Sequence, residues 1–338
     1  MEAVPSENTQ AGRWIWLCIV FCAPFFVLIL ARWILNEIIE TQLIDYDFFA
    51  GSPDNLQLLG GKIPASVILS LYRCGFSICA TVVLAIFLAT YATYLIVSKS
   101  ALAWQFKAFY AAALAAVFSF GVFNLEGLEL TAGHLPAEIA RNLINETLGK
   151  LPSCDDPAAA CSDLSRSIGN TASSLKDIVV RAFAIVALAG LSYISAVASI
   201  TWSTQEADTK KQLLENVTIL AAVTFLLTVI AVHLLFRPGA DMIAAAYGPI
   251  APDAAPPLTL QAYDHLSGAM ILYWATIFSL ALCASYFPAS IYLNAAHGSQ
   301  ISFSGVWSFA KTVVTVLAPI IATGAVAIAD GLLNTAGK

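Results

Sequence analysis

The basic side chains that border the apolar runs are the first candidates for chemistry. Arg32, Arg73, Arg181 and Arg237 come from four different runs and, with the runs alternating in direction, fall at the same membrane face. A ring of charge at the mouth of a pathway selects ions by sign, which makes these four candidate mouth or gate residues. The structural alternative is that span-end arginines snorkel to headgroups or pair with loop carboxylates. Glu37, Glu126 and Asp177 lie close enough in sequence to serve three of them. His233 is the one histidine inside an apolar run, near its end, and it joins the gate candidates because imidazole changes charge near neutral pH. A hydrogen-bonded packing role is its alternative.

Hydroxyls are the other polar groups in the apolar runs. Ser70, Ser77, Thr81, Thr90, Ser192, Ser195, Ser199, Thr224, Thr228, Ser279, Thr312 and Thr315 are expected mostly to bond back to their own helix, with some lining a wet path. Cys154 and Cys161 stand together in a polar stretch and can close a local disulfide in an oxidising compartment; a reduced pair is the alternative. The remaining five of the seven cysteines lie in apolar runs and read as small buried hydrophobes.

Catalytic signatures are missing from the sequence. There is no G-x-S-x-G, H-E-x-x-H or Walker A pattern, and no Asp or Glu in the middle of an apolar run. His134, His265 and His297 are far apart and lack metal-ligand spacing. The sequence therefore points to no catalytic residues, no cofactor and no metal, and to a protein that is not an enzyme.

What must position the candidates is a set of membrane-spanning helices. The chain is 59% hydrophobic and 11% charged, with a mean hydropathy of +0.78; soluble domains carry about 25% charged residues. Residues 65–97 and 103–123 form two apolar runs split by Ser98-Lys99-Ser100-Ala101. So short a break forces neighbouring antiparallel helices. Counted from that turn, Arg73 lies ~37 Å away at ~1.5 Å per residue, beyond a ~30 Å hydrocarbon core. The hairpin thus defines two membrane faces, face A with Lys99 and Lys107, face B with Arg73, Asn124 and Glu126.

Apolar runs at 14–35, 65–97, 103–123, 178–202, 217–236, 266–293 and 312–329 predict an all-α polytopic membrane bundle of six or seven spans, the last being spanning or re-entrant. The organisation expected is a first bundle over 1–124, an extramembrane helical segment over 125–176, and a second bundle over 177–338. Leu135, Ile139, Leu143, Ile144, Leu148 and Leu151 make an amphipathic stripe in the middle segment, suited to capping the bundle or binding a protein or small ligand. Residues 203–216 and 241–265 read as a charged link and a surface loop. The first run is too long for a signal peptide and lacks a basic leader, so it reads as a retained span. Face A is the more basic per residue of loop, which favours a cytoplasmic face A and N-terminus in a plasma or inner membrane.

The net charge of −6 is spread through loops, and no Lys/Arg cluster suits nucleic acid. The partners implied are the bilayer and further copies of the chain. A homo-oligomeric ion channel, with uncharged spans and charged mouths, is the function expected. The alternatives are a secondary transporter with a midplane site in helices broken near Pro24, Pro288 or Pro319, and a non-catalytic scaffold or sensor acting through 125–176.

Overall fold

The computed structural model describes residues 65–100, 160–203, 205–246 and 258–295, with isolated helical positions at 22–30 and 104–115. Four long helices make up the continuous stretches: α1 (Ala65–Lys99), α2 (Ala160–Thr201), α3 (Ala207–Ala246) and α4 (Leu258–Ala295). Each holds a stretch long and apolar enough to cross a membrane, namely Ala65–Lys99, Arg181–Thr201, Ala207–Asp241 and Tyr263–Leu293. The runs at 14–35, 103–123 and 312–329 fall wholly or largely outside the described residues. So do Arg32, Cys154 and the stripe over 135–151.

The helices outrun the apolar stretches that mark them. α2 begins at Ala160 and reaches Thr201 without a break, joining the segment before the span to the span itself. α3 takes in most of the expected link over 203–216 and continues past Phe236 through Pro238 to Ala246. The surface loop expected from Asp241 to His265 is correspondingly shorter, because α4 already begins at Leu258. Hydropathy marks only the part of a helix that suits lipid, whereas packing carries the helix further. Pro238, Gly239 and Ala240 are buried, and such contacts override the low helix propensity of Pro and Gly.

The chain reverses at one end of the helices. Lys107 Nζ donates to the carbonyls of Val97 at 2.7 Å and Ser100 at 3.1 Å. A cation there satisfies carbonyls left open at the C-terminus of α1 and complements its dipole. It also requires the chain to have reversed, since residue 107 would otherwise lie ~15 Å beyond residue 97. At the same face, Ser203 N–H bonds the Ile200 carbonyl at 3.2 Å, and Gln205 N–H bonds Ser203 Oγ at 3.2 Å. Lys210 N–H then closes on the Glu206 carbonyl at 3.0 Å to open α3, with Asp208 in its first turn where a carboxylate favours the dipole.

Packing fixes the directions. Thr81 Oγ1 reaches the Leu227 carbonyl at 3.2 Å, while Ser70 meets Asp241, so α1 and α3 are antiparallel. Tyr193 bonds Thr218 and Gly190 faces Phe225, so α2 and α3 are antiparallel as well. Tyr263 meets Phe236 and Phe278 meets Phe225, which sets α4 against α3 in the same sense. α3 packs against the other three helices, α1 packs on α2, and α2 on α4. Elements expected in separate first and second bundles thus meet directly.

The buried face of α1 is Cys74, Ile78, Thr81, Ala85, Leu88, Ala92 and Leu95. The steps alternate four and three residues, a 3.5-residue repeat that keeps one seam against its partners when helices wind left-handed about each other. Cys74, Thr81, Ala85 and Ala92 are small, which lets backbones approach. The other face of α1 exposes Tyr72, Phe76, Val83, Ile86 and Phe87.

Candidate functional site

At the face-B end, α1, α3 and α4 bring charges together. Asp241 on α3 lies beside Ser70 and in the field of Arg237, one turn back on its own helix, and of Arg73 on α1. The Ser70 hydroxyl lies within reach of both the Asp241 carboxylate, which can accept its proton, and the Val67 carbonyl at 2.9 Å. Next to it, the buried Tyr263 of α4 donates its hydroxyl to the Phe236 carbonyl at 2.8 Å. Two of the four arginines singled out by sequence, Arg73 and Arg237, therefore share one carboxylate. Asp241 was assigned to a loop on sequence grounds. Its position four residues after Arg237, hence on the same helix face, was the signal that could have found it. Arg181 is exposed on α2. His233 is half-buried, with Nδ1 shielded from solvent. Cys161 lies in the first turn of α2, and its pairing with Cys154 falls outside the described residues.

At mid-depth the centre of the four-helix unit is filled by rings. Phe225 of α3 stacks on Phe278 of α4 with centroids 4.7 Å apart and planes at 7°. Trp274 lies 5.6 Å from Phe278 and 5.3 Å from Phe183 of α2, and Tyr273 meets Trp274 edge-on at 5.5 Å. Rings in offset and edge contact fill the space between these helices at this level. A cavity of about 20 Å³ lies where α1, α2 and α3 meet, walled by Ile78, Thr81, Phe183, Thr228 and Ala231 among others. That is room for a single water. Its two hydroxyls already donate elsewhere, Thr81 to Ser77 and Leu227 carbonyls and Thr228 to the Thr224 carbonyl.

The structure sorts the intramembrane hydroxyls into two classes. Ser70, Thr81, Thr90, Ser195, Thr224 and Thr228 bond back to carbonyls three or four residues earlier. This engages the donor locally, and of the six only Thr81 also reaches a carbonyl on another helix, that of Leu227. Ser192, Ser199 and Ser279 are buried and make no such bond. Ser192, Ser195 and Ser199 stand at positions i, i+3 and i+7 and so share one face of α2. Opposite them comes Tyr110, from the helical positions that follow the Lys107 turn. Its hydroxyl meets those of Ser192 and Ser195 across the interface, close enough to bond them. Ser192 lies nine residues before the end of α2 at Thr201, ~13 Å along the helix.

Comparison of the chain with protein-family models, with curated proteins and with solved structures finds no match. Among the described residues, no three His, Cys, Asp or Glu side chains come together in a way that could hold a metal ion. The chemistry available is that of the face-B charges and of the hydroxyl seam between α2 and the Tyr110 segment.

Proposed function

We propose that the chain is a six- or seven-span membrane protein of a plasma or inner membrane, cytoplasmic at its N-terminus, that conducts small polar species as a homo-oligomeric channel. The route we assign runs along the hydroxyl seam of Tyr110, Ser192, Ser195 and Ser199. The observation that carries this reading is the cluster of hydroxyls, Tyr110 with Ser192 and Ser195, that meets between helices within apolar runs. Hydroxyls that bond one another across an interface can exchange those partners for something that passes. The ring-filled centre of α2, α3 and α4 favours the seam over that axis as the route.

The charged cluster at face B is the mouth in this reading. Arg73, Arg237 and Asp241 set the field there, and Arg181 faces outward nearby on the same rim. A carrier mechanism draws less support, because midplane carrier sites are built from interrupted helices, whereas α3 and α4 run unbroken through Pro238 and Pro288. Solute flux into liposomes reconstituted with the purified protein tests the proposal. Flux above protein-free vesicles, without saturation at high solute concentration, is expected. Background permeability to every ion and small solute tried would overturn it.

A further inference from the structure

We infer that the face-B end of α1 is a binding site for a single anionic phospholipid, its phosphate on Arg73 and one acyl chain along the outer side of the helix. The first ground is a continuous exposed stripe. Arg73, Phe76, Ala80, Val83 and Phe87 step by three and four residues, so they share one face of α1, and all five are exposed. That face is turned away from the residues that α1 buries against α2 and α3. Phe87 lies fourteen residues beyond Arg73, ~21 Å along the helix at ~1.5 Å per residue. Half of a bilayer ~40–45 Å thick with its headgroups is the same length. A phosphate held at Arg73 thus lays a chain of one leaflet along the stripe to Phe87. The small Ala80, between Phe76 and Val83, gives the stripe a hollow for it.

The second ground is charge. Asp241 of α3 lies in the fields of Arg237 and Arg73, and feels Arg237, on its own helix, the more strongly. Among the described residues two guanidiniums thus share one carboxylate, which leaves one positive charge in excess. Arg73 is the exposed member, and a guanidinium presents paired N–H donors that match a phosphate. Tyr72 is exposed beside it, an aromatic of the kind that sits at headgroup level. A second copy of the chain suits the stripe poorly. Two copies inserted in the same sense and meeting stripe to stripe bring Arg73 against Arg73, and like charges brought together oppose binding.

Native mass spectrometry of the full chain, released from mixed micelles of phosphatidylglycerol and phosphatidylcholine with identical acyl chains, tests the site. The protein should retain phosphatidylglycerol in preference, with one molecule per chain as the main adduct. Arg73→Gln should lower that retention about five-fold, the effect of one basic residue at an anionic surface. Arg181, exposed on α2 at the same face, is the control, and Arg181→Gln should leave retention unchanged. Ala80→Phe fills the hollow without touching a charge and should reduce retention as well, which keeps the test decisive if Arg73→Gln does not fold. Equal retention of the two lipids, or equal loss in Arg73→Gln and Arg181→Gln, would overturn the site in favour of general attraction to headgroups. Dimers that Ala80→Phe disperses, with lipid retention unchanged, would overturn it in favour of a second copy.

Discussion

Leu88 and Phe87 are neighbours in sequence on α1, and truncating each to alanine should have opposite consequences. Leu88 is 0% exposed and part of the main core, while Phe87 is 58% exposed on the far face. In a water-soluble protein Leu→Ala costs about 2–5 kcal/mol, part of it transfer of the lost carbons to water. In a bilayer the transfer part largely vanishes, because lipid tails are as apolar as leucine. What survives is the cavity: about 24 cal/mol per Å³ over the ~80 Å³ vacated gives ~2 kcal/mol for Leu88→Ala. Phe87→Ala opens no cavity, since lipid fills the space, and should stay within ~0.5 kcal/mol. Unfolding of the protein in bicelles by titrated SDS, followed by far-ultraviolet circular dichroism, measures both. Equal costs, or a larger cost at Phe87, would refute the assignment of which side of α1 faces its partners, and with it the 3.5-residue seam.

Other tests address single contacts. Thr81→Val keeps shape but deletes the bond to Leu227 between helices, and should destabilise by ~0.6 kcal/mol and by no more than ~1.7 in the same unfolding assay. Gly190→Ala should be neutral or stabilising by ~0.5–1 kcal/mol, because the helix gains rigidity and the added Cβ would lie 3.6 Å from Phe225, an ordinary contact. Lys107→Met removes the cap on α1 and should lower stability by ~1 kcal/mol, with amide exchange rising first over residues 94–100. In a cysteine-free background, Arg73→Cys and Lys99→Cys should be labelled by an impermeant maleimide from opposite sides of the membrane; labelling from one side would break the two-faced plan.

Hydropathy and punctuation in the chain were enough to place the long apolar stretches of α1 to α4 and a chain reversal after α1. These follow from length and composition, because a lipid solvent demands ~20 apolar residues in a row wherever a helix crosses. The sequence by itself did not reveal which side of each rod is inside. α1 is apolar all round, so it has no polar stripe to orient it, and Leu88 cannot be told from Phe87 until partners are known. Nor did it reveal that α3 continues to Asp241, since helix beyond the lipid is held by packing that leaves no hydropathy signal. The hydroxyls show the same division. Ser192 and Ser195 are equivalent as residue types on one helix face. Only tertiary structure decides that both meet Tyr110, Ser195 while also bonding the Leu191 carbonyl and Ser192 without a carbonyl partner.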